Sequence, residues 1–233
     1  MEYAVEPIVP LVSSTDGRVL SDGWGELLFR GKSFPTDIDT WREWYILLQD
    51  LVPQALQNFS KISINLDTDH CVDRDILRAV HALRGLPVAI EWTERRKDYE
   101  MRDQKEIAAR NLLSLRRTCG FEIILDDIGA GEDNLGRLCA LGEPDGVKLD
   151  MALFHKARVD RRVRDIVCGT LGSFHALGIA CVVEGVETAC DLELAKMLNA
   201  DMGQGYFWSM PQTRVPERRY VGDQSPGIGV SDS

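Results

Sequence analysis

Short apolar runs alternate with longer stretches in which apolar residues recur every three or four positions, and the alternation continues along most of the chain. The short runs read as strands: Val5 to Val12, Gly23 to Arg30, Lys61 to Asp67, Pro87 to Glu94, Phe121 to Ile128, Val147 to Asp150, Ile179 to Val186 and Met202 to Trp208. The longer stretches predict helices over Thr40 to Phe59, Asp73 to Leu83, Tyr99 to Thr118, Asn134 to Leu141, Arg161 to Leu177 and Thr188 to Leu198. Pro53 is expected to kink or divide the first of these. Gly120 and Gly178 stand where helices must stop before strands, and Thr188, with Asp191 three residues on, is expected to cap the last helix.

The link between the first two strands is too short for a helical crossover and contains Asp16-Gly17, a hairpin signal, so those strands should pair antiparallel. From Arg30 onward strand and helix alternate, which favours a parallel sheet. About eight strands is the number that closes a barrel. The predicted fold is therefore α/β, a (β/α)8 TIM-like barrel with an antiparallel first strand, formed by one domain over residues 1–212 and followed by a polar, partly mobile tail over 213–233.

Polar residues recur at the trailing ends of the strand-like runs: Glu26, Asn65, Glu91, Asp126 with Asp127, Lys148, Glu184 with Glu187, and Gln204. A barrel of this kind gathers its strand C-termini on one rim, so positions tens of residues apart can form one site. The adjacent carboxylates Asp126 and Asp127 would raise each other's pKa unless a cation sits between them. Hard divalent ions take carboxylate and amide oxygens. The carboxylates Glu26, Glu91, Asp126, Asp127, Glu184 and Glu187 together with Lys148 carry a formal charge of −5, which two divalent ions reduce to −1. A two-metal centre of that sort suits in-line attack on a phosphodiester. Lys148 can orient the nucleophile or meet developing negative charge, and Glu184 or Glu187 can take a proton. Taken singly, each of these residues could be a cap or a solvated surface group; their joint placement carries the reading.

Composition narrows the picture further. No apolar run approaches the roughly 18 residues of a membrane span, and the first residues, Met1 to Glu6, are acidic where a secretory leader would be basic. A cytoplasmic location is expected. The net charge of −10 argues against wrapping long nucleic acid. The six cysteines lack paired metal-ligand spacing and read as reduced thiols. The four histidines lie off the strand ends and read as structural. Trp24, Trp92 and Trp208 are expected in the core ahead of any base-stacking role.

Glu26-Leu27-Leu28-Phe29-Arg30, Asn65, Glu91-Trp92-Thr93-Glu94, Asp126-Asp127-Ile128-Gly129-Ala130-Gly131, Val147-Lys148-Leu149-Asp150, Glu184-Gly185-Val186-Glu187-Thr188 and Gln204-Gly205-Tyr206 together resemble, in order, the motifs of the EAL domain, the bacterial cyclic-di-GMP phosphodiesterase family. The resemblance implies hydrolysis of cyclic di-GMP to linear pGpG, with two Mg²⁺ or Mn²⁺ ions. It assigns Glu26, Asn65, Glu91 and Asp126 to one metal, with Asp126 shared, and Asp127 and Glu184 to the second. It gives Lys148 the attacking water, with Glu187 and Gln204 supporting it. Arg30 would meet a substrate phosphate, Leu28 and Gln204 would complete the substrate set, and Glu94 would anchor the loop after Asp127. The general base stays open, and a homodimer is implied.

Several positions depart from the family pattern: Leu27 replaces Ala, Glu6 stands where Gln is usual, Ile128 and Ala130 replace Phe and Thr, and Glu132-Asp133-Asn134 replaces Tyr-Ser-Ser. That last loop couples metal binding to dimerisation in the family, so the added charge is a place where coupling can be retuned. The alternative reading is a catalytically weak or inactive EAL-like protein that binds cyclic di-GMP or a partner such as a transcription regulator. Hydrolysis of cyclic di-GMP separates the two.

Overall fold

The computed structural model describes residues 2–11, 23–31, 35–93, 102–130 and 134–208. Eight strands close into a barrel in chain order: β1 (Glu2–Pro10), β2 (Trp24–Arg30), β3 (Lys61–Asp67), β4 (Val88–Thr93), β5 (Glu122–Ile128), β6 (Gly146–Leu149), β7 (Ala180–Val183) and β8 (Met202–Gln204). β1 is antiparallel to both neighbours, with Glu6 opposite Glu26 on β2 and Ile8 opposite Gln204 on β8, while the remaining pairs are parallel. The expected (β/α)8 TIM-like barrel with an antiparallel first strand is the observed fold. The Asp16-Gly17 turn, Glu94, Gly131-Glu132-Asp133 and the tail over 213–233 lie outside the described residues.

Among the described residues seven α-helices pack around the barrel: α1 (Ile38–Ala55), α2 (Arg74–His81), α3 (Arg102–Cys119), α4 (Asn134–Leu141), α5 (Met151–Val159), α6 (Arg161–Ala176) and α7 (Ala189–Met197). α1 shows why. The Asp37 side chain caps its start by accepting from the Thr40 N–H, and Trp41, Trp44, Tyr45, Leu48, Leu51, Val52 and Ala55 form one buried stripe. Each such large side chain removed from water contributes about 1.5–3 kcal/mol. Pro53 does not divide this helix. It lies inside the last turn, and the helix ends two residues later, short of Phe59.

Three further departures have local causes. α5 was not expected, because its nine residues carry little periodicity; Asp150 starts it by accepting from the Leu153 N–H at 3.1 Å, and Asp160 both ends it and caps α6. β7 and β8 stop at Val183 and Gln204, short of Val186 and Trp208. Gly185 (φ 74°) and Gly205 (φ 149°) turn the chain out of the sheet just beyond them. Gly120 and Gly178 also have positive φ at helix exits, and Thr188 with Asp191 forms a reciprocal capping box at α7, both as expected.

Strand alternation sorts the barrel interior into layers. Ile8, Val182 and Met202 form a small buried cluster, with Trp24, the first residue of β2, packed beside it. Trp24 therefore sits at the end of the barrel opposite the proposed rim, with Lys61 Nζ 4.1 Å from its ring centre. Trp92 is buried among the helices, where its Nε1–H donates to Thr68 Oγ1 at 3.1 Å. The layer above is polar, and it forms the site. No helix among the described residues is long and apolar enough to cross a membrane.

Candidate active site

Lys148, near the end of the short strand β6, is 1% exposed and stands at the centre of the polar layer. Its Nζ lies 2.6 Å from Glu184 Oε1, 2.8 Å from Glu91 Oε2, 3.2 Å from Glu26 Oε2 and 3.5 Å from Asp126 Oδ1. Four carboxylates from β2, β4, β5 and the end of β7 thus converge on one ammonium. Glu26 is held from two more sides: Asn65 Nδ2–H donates to its Oε1 and Gln204 Nε2–H to its Oε2, each at 2.6 Å. The barrel register helps deliver these contacts: Asn65 lies opposite Glu91 on β4 and two residues beyond Ser63, the partner of Glu26 on β2.

The electrostatics follow from crowding negative charge in a buried space. Burial opposes the charge on Lys148, but Asp126, Glu184, Glu26 and Glu91 outweigh it and hold the ammonium pKa well above its ordinary value. Burial pushes Glu91 up to about 8, with the Glu26 charge adding to the rise. Asp127 rises to about 6 through burial and the neighbouring Asp126, and burial also lifts Asp126 and Glu184. Glu26 goes the other way: Lys148, Gln204 and Asn65 overcome its burial and hold it below the usual carboxylate range. Glu6, which faces Glu26 across the β1–β2 pair, is raised by burial and by the Glu26 charge.

Charge and buried oxygens both suit a cation at this place. Asn65 Oδ1, Glu91 Oε1, Asp126 Oδ1 and Gln204 Oε1 are buried without a hydrogen-bond donor, a state polar groups rarely keep. Ligand oxygens of Asp126, Asp127 and Glu184 lie within 4.8 Å of one another. Hard oxygen donors that lack protons to accept are what Mg²⁺ or Mn²⁺ takes, so the residues present fit such ions.

Of the residues singled out in the sequence, the structure brings together Glu26, Asn65, Glu91, Asp126, Asp127, Lys148, Glu184 and Gln204. Leu28 and Arg30 follow Glu26 on the same face of β2, Leu28 half-buried and Arg30 exposed toward the rim. Glu187 is not drawn in: it is exposed, and its backbone N–H donates to Asp191 Oδ2 at 3.2 Å. Glu94 lies outside the described residues. Three of the four histidines have structural partners, His155 Nε2 on the Gly185 carbonyl at 2.9 Å, His175 Nε2 on Asp201 at 2.9 Å and His70 Nδ1 on the Tyr45 hydroxyl at 3.0 Å, and His81 is exposed on α2. Tyr45 in turn donates to the Asn65 carbonyl at 2.5 Å, a support for Asn65 that helix periodicity alone does not reveal.

Comparison with known proteins bears on the family and the fold. The model of the EAL domain family matches residues 45–211. The cyclic di-GMP phosphodiesterase RocR of Pseudomonas aeruginosa is 32% identical over 111 residues, which cover 48% of this chain and 27% of RocR. The chain spans about a fifth to three tenths of the length of the curated relatives it matches. Among solved structures, a standalone EAL protein from Vibrio cholerae O395, bound to c-di-GMP, superposes with a TM-score of 0.71 at 22% identity, covering 93% of this chain and 94% of that one. The FimX EAL domain from Pseudomonas aeruginosa, bound to c-di-GMP, gives 0.73 at 15% identity with 92% of each chain covered. These likenesses establish the fold.

Proposed function

The chain belongs to the EAL domain family, and from that premise we propose that it is a metal-dependent phosphodiesterase that opens cyclic di-GMP to linear pGpG. The observation that carries the reading is the ring of carboxylates around Lys148, in which Glu91, Asp126 and the amides Asn65 and Gln204 keep buried oxygens without hydrogen-bond donors. Inactive members of an enzyme family need not keep a ligand set; here every position holds a competent donor.

In this proposal Glu26, Asn65, Glu91 and Asp126 hold one Mg²⁺ or Mn²⁺, and Asp127 and Glu184, with Asp126 shared, hold a second. Bound there, two divalent ions would supply the positive charge and the acidified water that phosphodiester hydrolysis needs. Lys148 Nζ holds the attacking water and meets charge developing on the phosphate, a role its raised pKa suits because it stays protonated. Glu184, 2.6 Å from that ammonium, is in reach to accept a proton. Gln204 braces Glu26. Arg30 and Leu28, rising toward the rim of β2, receive a phosphate and the rest of the substrate. Glu187, exposed at the edge, supports the water, and the role of Glu94 in this proposal is to anchor the loop after Asp127. A homodimer, a regulatory partner and cytoplasmic residence belong to the same proposal.

The test is incubation of cyclic di-GMP with the purified protein and Mg²⁺ or Mn²⁺, with product separated by chromatography. Formation of pGpG supports the reading. Intact substrate at saturating metal, with cyclic di-GMP still bound, would leave the chain a binding protein.

A further inference from the structure

β5 does something a regular strand cannot. Successive strand residues point to opposite faces, yet the adjacent Asp126 and Asp127 both stand beside Glu184. Two local departures allow this. The β5–β6 register shifts between Leu125 and Ile128, and Asp127 takes a left-handed φ of 57°. On the other side, the β4–β5 ladder stops where Trp92 pairs with Leu125. The carbonyls of Trp92 and Asp126 therefore stand at the ends of their ladders, where buried backbone groups need other partners.

One side chain takes both. Arg137, on α4, is 1% exposed; its Nη1–H donates to the Trp92 carbonyl and its Nη2–H to the Asp126 carbonyl, the latter at 2.7 Å. Trp92 directly follows Glu91, and Asp126 is itself a proposed ligand. A planar, rigid fork thus fixes the backbone at one ligand and beside another. Its charge also opposes the rise that burial imposes on both Asp126 and Asp127. Packing alone does not call for an arginine here, because burying a guanidinium is costly unless its donors are met and an apolar side chain would fill the volume without that cost.

We propose that Arg137 is a positioning residue for the metal centre: its two-carbonyl fork holds the ends of β4 and β5 so that Glu91, Asp126 and Asp127 can ligate cations together. This rests on the metal-dependent reading above and deepens it. Arg137 touches neither substrate nor reacting atoms; it acts through the backbone of the residues that do. It also ties α4 to the strand ends, so movement of that helix would reach the ligands.

The experiment compares the wild type with Arg137→Met and Arg137→Lys by two measurements: Mn²⁺ affinity by titration calorimetry, and backbone hydrogen exchange of the metal-free proteins. Arg137→Met should weaken Mn²⁺ by about 10–100-fold, the usual effect of losing a partner that orients ligands. It should speed exchange at the ends of β4 and β5 while β1 and α6 stay as in the wild type. Arg137→Lys keeps the charge without the fork and should fall between the two. Unchanged Mn²⁺ affinity in folded Arg137→Met overturns the proposal. Should Arg137→Met fail to fold, Arg137→Lys decides, and wild-type affinity there overturns the role of the fork. A wild-type protein that binds no Mn²⁺, with exchange still sensitive to Arg137→Met, instead overturns the metal-dependent reading and reduces Arg137 to a residue of the fold.

Discussion

Nζ of Lys148 lies 2.6 Å from Oε1 of Glu184, and the same ammonium reaches Glu91, Glu26 and Asp126 within 3.5 Å. In the metal-free protein this lysine is the cation on which four carboxylates depend. Removing one partner of a buried charged group costs about 3–5 kcal/mol, because the remaining charge is left uncompensated. Lys148→Met should therefore lower stability by that order in chelator. Divalent ions should restore much of it, since they supply the same charge, yet turnover should stay lost. Urea unfolding with and without Mn²⁺, beside an assay of cyclic di-GMP cleavage, checks both halves. A variant as stable as the wild type in chelator would show that the carboxylates do not depend on the ammonium.

Gly205 guards the placement of Gln204. An added Cβ would lie 2.4 Å from the Val186 carbonyl oxygen and 2.6 Å from its nitrogen, and both are backbone atoms that cannot swing aside. Gly205→Ala is expected to cost about 1–3 kcal/mol through strain, and to lower turnover by moving the amide that holds Glu26. Gly172, inside α6 with nothing within 4 Å of a built Cβ, supplies the contrast. Gly172→Ala should raise stability by about 0.4–1 kcal/mol and leave turnover unchanged. Thermal melts of the two variants should move in opposite directions.

Asp191 predicts a pH dependence at the edge of the site. It accepts from the backbone N–H groups of Glu187 and Thr188 and from the Thr188 hydroxyl, and it faces Arg158 at 2.9 Å. Burial would lift its pKa, but these partners outweigh it and hold the carboxyl below its ordinary value. A folded value below the unfolded one, near 3.9, means the contribution is complete above about pH 4 and is lost as the pH falls through the folded value. Asp191→Asn should destabilise by about 1.5–3 kcal/mol at neutral pH, and its gap to the wild type should narrow in acid below that window. Unfolding free energies measured across the acid range that keep a constant gap would contradict the assignment.

Much of the barrel was readable because each strand end carries its own signal. The hairpin link before Trp24 announced the antiparallel β1, and Asp126-Asp127 before Gly129 marked a strand end rich in ligands. Other features are set by contacts that no local pattern encodes. α5 is held by the caps Asp150 and Asp160 more than by periodicity. Arg137 sits in a helix whose spacing gives no hint that its guanidinium turns inward to two carbonyls 45 and 11 residues away. Glu184 and Glu187 look equivalent in the sequence, yet Gly185 turns the chain between them, and Glu184 alone reaches Lys148.

The buried oxygens of Asn65, Glu91, Asp126 and Gln204 that lack a hydrogen-bond donor make a prediction that does not depend on catalysis. A ligand that binds the folded state and not the unfolded one stabilises by RT ln(1 + [L]/Kd), about 2.7 kcal/mol at a hundredfold excess over Kd. For a chain of 233 residues, that corresponds to a rise in melting temperature of about 5–10 °C. Mn²⁺ should produce it, EDTA should reverse it, and Ca²⁺, which is larger and prefers more ligands, should fit the same donors differently and support less turnover. Asp126→Ala removes a carboxylate that would serve both proposed ions and should abolish the Mn²⁺ shift, while its own metal-free melt stays cooperative because Asp126 lies in the polar layer and the apolar core is untouched. An undiminished Mn²⁺ shift in Asp126→Ala would place the ion elsewhere on the protein, and the carboxylates around Lys148 would then need another cation to explain them.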